Sequence, residues 1–300
     1  MSVEARAART VLFTALALVG FAANSLLCRA ALGSDAIDAW SFTAARLASG
    51  AVMLIVLAAL SGPRAARGVS ARRVSAWGAG SFASALALWI YAAAFSLAYL
   101  RLGAGIGALV LFASVQATMI GWSAWRGARP GPAERRGLVL AFLGLLVLTL
   151  PGASLPDPLG LFLMVVAGIA WGAYSLRGRA SQAPLLATTD NFTRASPLAL
   201  GALLAVLLTA EIHVSARGLA LACASGALAS GVGYSLWYRA LPELSAVRAA
   251  LVQLLVPVLT AVAGIGLLGE SPSWRLFIAG PQILIGVGLA VLGRRSNPTR

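Results

Sequence analysis

Ten apolar stretches run through this 300-residue chain almost without a gap, at 9–30, 38–60, 74–98, 103–125, 136–150, 157–177, 187–210, 217–239, 245–268 and 274–293. Most come close to the roughly 20 residues that a helix needs to cross the hydrocarbon of a bilayer. With 60% hydrophobic residues, 11% charged residues and a mean hydropathy of +0.88, the chain has too little polar surface for a water-soluble domain. The connections leave little chain for one in any case. The expected fold is an all-α integral membrane protein of ten transmembrane helices.

A net charge of +14 would ordinarily suggest a nucleic-acid partner, but the positions of the charges argue for topology instead. All 23 basic residues are arginines. Most fall in alternate connections: Arg6 and Arg9; Arg64, Arg67, Arg72 and Arg73; Arg126, Arg129, Arg135 and Arg136; Arg177 and Arg179; Arg239; and Arg294, Arg295 and Arg300. The intervening loops hold only Arg29, Arg101, Arg217 and Arg275. This asymmetry places both termini in the cytoplasm of a bacterial-type inner membrane, which requires an even number of spans. Membrane lipid and a small solute are the expected partners, with no nucleic acid; a monomer is compatible with this reading. Arg6 and Arg9 precede an apolar run as in a signal peptide, and Cys28 closes "SLLC". Leu27 is not a small residue, however, and nine further spans follow, so the first helix is read as retained. Cys28 and Cys223 have no metal or redox spacing and read as packing residues.

The sequence also reads as if written twice. At a constant offset of 150, "GFAANSLLCRA" and "AWGAYSLRGRA" align Phe21 with Trp171, Ser25 with Ser175, Leu26 with Leu176 and Arg29 with Arg179, and Phe42-Thr43 with Phe192-Thr193. Later matches run at an offset of 142, from Ala108-Leu109-Val110 onto Ala250-Leu251-Val252 and from Gly144 onto Gly286. Two five-helix copies follow, at about 9–150 and 155–295. Because five is odd, the second copy begins on the opposite side of the membrane. The copies are therefore inverted repeats related by a pseudo-two-fold axis in the membrane plane, as in carriers that alternate access around a central site.

Ten spans, a five-helix duplication, "SLLCRA"/"SLRGRA" at helix ends and "LLVPVLTAVAGIGLLGESPS", with Pro257 followed by Gly269-Glu270, resemble the EamA-type branch of the drug/metabolite transporter superfamily. The likeness covers nearly the whole chain and is closest in look to bacterial amino-acid exporters of the YddG type. It departs from the pattern in the first copy, where Val115 and Ala128 stand in place of the proline and glutamate. The resemblance implies a membrane carrier of small metabolites, not an enzyme.

Polar and aromatic residues at mid-span depth supply candidates for its site. Trp40, Trp77, Trp122, Trp125 and Trp274 fall where interfacial aromatics belong. Asn24, Trp89, Ser114, Gln116, Trp171, Tyr174, Ser175, Tyr234, Gln253 and Pro257 lie deeper. Lipid offers their amides and hydroxyls no partner, so they are expected either to bond between helices or to line a shared midplane cavity. Pro257 is expected to bend its helix and leave the carbonyl of Gln253 unpaired. Arg46 and Arg194 are embedded; Asp190 and Arg194 are spaced for an i,i+4 pair, and Arg46, with no partner in its own helix, is expected to snorkel outward. His213 reads as surface, while Gly103 with Gly107, Gly264 with Gly266 and Gly286 with Gly288 read as close helix approaches.

No carboxylate sits at the centre of any span, which argues against a proton-coupled exporter of cationic drugs. No cofactor, metal cluster, nucleotide loop or catalytic triad is readable, so no catalytic residue is assigned. The residues suit a neutral or zwitterionic metabolite with an apolar part, such as an aromatic or other neutral amino acid, moved by alternating access and driven by its own gradient. A drug-like compound or a nucleotide sugar is the alternative, the nucleotide calling for arginines in the cavity. A membrane enzyme or scaffold would instead gather its polar residues at one interface.

Overall fold

The computed structural model describes residues 3–61, 78–102, 104–149, 156–268 and 271–292. The arginines at 64, 67, 72, 73, 294, 295 and 300, Trp77, Gly103 and the Gly269-Glu270 pair lie outside those residues. The described chain is helical, with no strand and a single isolated antiparallel bridge between Ile37 and Val214.

Seven unbroken helices come first: α1 (Val3–Leu32), α2 (Ala39–Ser61), α3 (Phe82–Tyr99), α4 (Ala104–Trp125), α5 (Pro132–Thr149), α6 (Pro158–Gly178) and α7 (Pro184–Leu207). The eighth span is composite. It runs as α8 (Ala216–Ala224), a π-helical segment (Ser225–Val232) and α9 (Gly233–Ala240). The ninth is split into α10 (Ala246–Val252) and α11 (Leu255–Leu268), and the tenth is α12 (Trp274–Leu292). Among the described residues, eight of the ten spans are long and apolar enough to cross a membrane. The other two, α5 and α7, are diluted by Glu134, Arg135 and Arg136 and by Asp190, Asn191 and Arg194 respectively.

Local chemistry sets where the spans begin. In lipid every backbone group must be satisfied within the helix, so the polar caps fall at the ends. Asp38 accepts from the amides of Trp40 and Ser41, Ser81 from Ser84, Asp157 from Gly160 at 2.6 Å, Ser215 from Gly218 and Ser245 from Arg248. Pro158 and Pro184 occupy first-turn positions, where a missing N–H costs nothing.

In the bundle, α3 packs on α6 and α7, while α2 packs on α7 and on the π segment. Helix α1 lies against the eighth span and α11, α4 lies against α6 and α10, and α5 pairs with α12. The α5–α12 crossing is close because Gly137 and Gly286 meet there: a Cβ on Gly137 would strike the Gly286 carbonyl, and one on Gly286 would strike the Ala141 amide. Gly266 and Gly288 face open space, contrary to the sequence expectation. Small residues mark a helix contact only where the partner comes close enough to need them.

Candidate substrate pathway

Two cavities open at opposite ends of the bundle. The larger, about 780 Å³, is enclosed by the starts of α3 and α7 and the ends of α4, α6 and α9. Trp122 and Trp125 form an apolar wall, and Arg177, Asn191, Ser81, Ser84 and Tyr238 supply its polar groups. Arg177 donates from Nε to Ser84 Oγ at 2.8 Å and from an Nη to Ser81 Oγ at 3.0 Å, so the one charged residue lining this cavity among the described residues is fixed in position. The smaller, about 210 Å³, lies at the other end, where Ser25, Arg29, Tyr99, Thr149, Pro257 and Thr260 line it.

Between them the interior is filled. Trp171 is the hub, with ring centroids 5.2 Å from Phe21, 4.9 Å from Tyr91, 5.6 Å from Tyr174 and 4.7 Å from Tyr234. These rings belong to α1, α3, α6 and α9, so one aromatic layer joins four spans. Such offset and edge-to-face packing is favourable beyond area burial alone. The hub is also bonded: Trp171 Nε1 donates to Gln253 Oε1 at 2.6 Å.

Gln253 stands where the ninth span breaks. Its Nε2 donates to the Ala249 carbonyl at 2.9 Å, and Gln116 Nε2 reaches the Ala250 carbonyl at 2.7 Å, so two side-chain amides serve the last turn of α10. The carbonyl expected to be freed by Pro257 is not free. Val256 N donates to Gln253 O at 3.0 Å, because the chain around the break tightens into i→i+3 bonds instead of bending as a continuous helix. Ser175 Oγ accepts from Trp237 Nε1, and Asn24 Oδ1 accepts from Ser225 Oγ at 2.7 Å, tying α1 to the π segment. The Tyr174 hydroxyl is buried beside Tyr238, Asn191 and Thr188.

The ten sequence-selected residues therefore do not line one midplane cavity. Asn24, Trp171, Tyr174, Ser175, Tyr234 and Gln253 form or brace the layer between two cavities, and Gln116 bonds to the helix end beneath it. Pro257 lines the smaller cavity. Ser114 returns its hydroxyl to the Val110 carbonyl at the α4–α6 crossing. Trp89 lies in neither cavity nor in the layer; two residues further on, about 200° around the helix, Tyr91 presents its ring to Trp171. Phe21, Tyr91, Phe95 and Trp237 are members that sequence reading passed over. The buried i,i+3/i+4 stripe Leu88, Tyr91, Phe95, Ala98 on α3 was the signal for two of them.

Of the embedded arginines, Arg194 pairs with Asp190 at 2.7 Å, as its spacing suggests. Arg46 does not snorkel: it is 1% exposed, donating from Nε to Ser230 Oγ at 2.9 Å and from an Nη to Tyr234 Oη at 2.6 Å. The π segment and α9 supply those acceptors across the bundle, which holds the side chain inward. His213 is on the surface, exchanging backbone and side-chain bonds with Asp38.

A ten-span helical bundle with solute-sized cavities at both ends and a ring-filled middle has the build of a membrane transporter. Residues 158–292 match the EamA-like transporter family. Pseudomonas aeruginosa PA1977, itself an uncharacterized protein, is 48% identical over 292 residues, spanning 97% of this chain and 98% of its own. A protein of known crystal structure shares 19% identity and a TM-score of 0.75 over 95% of this chain and 98% of its own, a likeness of fold. The chain belongs to the EamA-like transporter family, within the drug/metabolite transporter superfamily, and is a multi-pass membrane transporter of small solutes.

Proposed function

We propose that this transporter works by alternating access and exports small metabolites, foremost aromatic or other neutral amino acids, across an inner membrane with both termini in the cytoplasm. The observation that carries this reading is the pair of cavities at opposite ends, separated by a hydrogen-bonded aromatic layer. In this state the larger cavity faces the arginine-rich side, assigned to the cytoplasm. Tryptophan and tyrosine faces suit an aromatic or aliphatic side chain, and Asn191, Ser81, Ser84 and Arg177 suit the polar end of an amino acid. A nucleoside diphosphate would call for several cations, and among the described residues Arg177 is the one charged group lining the larger cavity.

The helix pairings support inverted repeats spanning 9–150 and 155–295. Exchanging each span n with span n+5 turns the 3–6 contact into 8–1, 4–6 into 9–1 and 3–7 into 8–2. The 2–7, 4–9 and 5–10 contacts map onto themselves, and all of these pairings are present. Phe21 and Trp171, equivalent at the offset of 150, meet edge to face at 5.2 Å.

The test is counterflow of labelled phenylalanine in proteoliposomes. Trp171→Ala and Gln253→Ala are expected to lower flux by about tenfold or more, the equivalent of about 1.4 kcal/mol, while remaining monodisperse. Wild-type flux in both variants, or none in the wild type with any neutral amino acid, would refute the assignment.

A further inference from the structure

Six rings form a ladder from one cavity to the other. Tyr238, which lines the larger cavity, contacts Tyr174 at 4.9 Å; Tyr174 contacts Trp171 at 5.6 Å; and Trp171 contacts Tyr91 at 4.9 Å. Tyr91 then contacts Phe95 at 5.5 Å, and Phe95 contacts Tyr99, which lines the smaller cavity, at 4.6 Å. Arg46 lies at the middle of this ladder, its Cζ 5.4 Å from the Tyr91 centroid and 6.0 Å from that of Phe95.

Its charge is uncompensated. Its partners, the hydroxyls of Ser230 and Tyr234 with that of Tyr91 close by, are all neutral, and one buried Nη makes no hydrogen bond of good geometry. The ion pairs seen among the described residues include Arg101 with Asp157, Arg194 with Asp190 and Arg248 with Glu134, and Arg46 takes part in none of these. A buried cation without a counter-charge is costly in a membrane interior, and ring faces and hydroxyls offset only part of that cost. A second observation points to the same spot. Ser230, which bonds Arg46, lies in the π-helical segment Ser225–Val232, and single π turns inside α-helices recur at functional sites.

We propose that Arg46 is the anion receptor at the midpoint of the pathway, taking the carboxylate of a small apolar monocarboxylic solute as the ring layer opens around it. This rests on the carrier reading above and adds a residue that sets its specificity. The buried Nη offers the charge-assisted bonds that a carboxylate needs. The ladder faces receive the apolar body. A cationic amine lacking a carboxylate is repelled at the same point, where the ladder carries no acidic group.

The experiment pairs 3-phenylpropionate with 3-phenylpropanamide, nearly the same shape without the charge, and reads both thermal unfolding of the purified full chain and counterflow in proteoliposomes. In the wild type the carboxylate is expected to raise the apparent Tm and to exchange, and the amide to do neither. Arg46→Gln should weaken the carboxylate response at least about tenfold, and Arg46→Lys should retain part of it. The ligand-free Tm of Arg46→Gln should equal or exceed that of the wild type, since an uncompensated buried charge has been removed. A lower ligand-free Tm would mark Arg46 as structural and overturn the proposal, as would an Arg46→Gln protein that still prefers the carboxylate. A wild type that exchanges both probes equally, or that exchanges neither while still exchanging phenylalanine, also overturns the role of Arg46 and leaves the carrier intact; one that exchanges neither probe nor any neutral amino acid overturns both.

Discussion

Asp190 holds the entry to α3 in place. Its Oδ2 accepts from the amides of Gly78 and Gly80 at 2.9 and 3.0 Å, and its Oδ1 accepts from Arg194. Next to it, Asn191 Oδ1 accepts from the Ser81 amide, the residue that caps α3. The carboxylate is fully buried, so removing it takes the shared acceptor from three donors at once. Asp190→Ala should therefore destabilise the protein by about 2–3 kcal/mol, and Asp190→Asn, which keeps an acceptor, by less. Thermal unfolding in detergent checks the order of the two variants. The i,i+4 spacing makes the Arg194 pair readable in the sequence. The bonds to Gly78 and Gly80 cross more than a hundred residues, and no local pattern announces them. Arg46 illustrates the same limit: its charge and depth are plain in the sequence, but its direction depends on Ser230 and Tyr234, contributed by a span 184 and 188 residues away.

At the scale of elements, hydropathy places most span ends within a few residues, because the switch from lipid to water is itself the signal. The two interruptions are a different matter. The break at Gln253–Leu254 is foreshadowed by Pro257, whose missing N–H weakens the turn before it, but the form of the break depends on Gln116 arriving from α4. The π segment has no proline and depends on its crossing with α2. There a Cβ on Gly226 would run into the Arg46 carbonyl and the Ser49 hydroxyl. Gly226→Val should therefore force the two helices apart, costing about 1–3 kcal/mol and reducing the folded yield. Gly201→Ala, at a helical glycine with open space around it, is the control and should leave the Tm unchanged or slightly raised. Equal stability in both variants would show that α2 and the π segment are not in fixed contact.

At the scale of the whole molecule, the proposed duplication rests on ordered matches at two offsets, 150 and 142, in a composition dominated by a few residue types. The location of open space is not legible in the sequence, because the same aromatics can line a cavity or fill it; here Phe21, Tyr91, Trp171 and Tyr234 fill it. A filled centre between two end cavities makes a specific demand on an alternating-access carrier: the end that is open must exchange as solute moves. Ala173 lines the larger cavity and Ala261 the smaller, and a cysteine fits at either with little change in volume. In a Cys28→Ala/Cys223→Ala background, a membrane-impermeant maleimide should label Ala173→Cys from the cytoplasmic face readily and Ala261→Cys from the opposite face slowly, matching cavities of about 780 and 210 Å³. Saturating phenylalanine should move the two rates in opposite directions, because a ligand redistributes two states only through its different affinity for them. A channel would let both positions react together, with or without phenylalanine. A rigid scaffold would leave both rates unmoved by any solute. Reciprocal change is the signature that the proposed alternating access must produce.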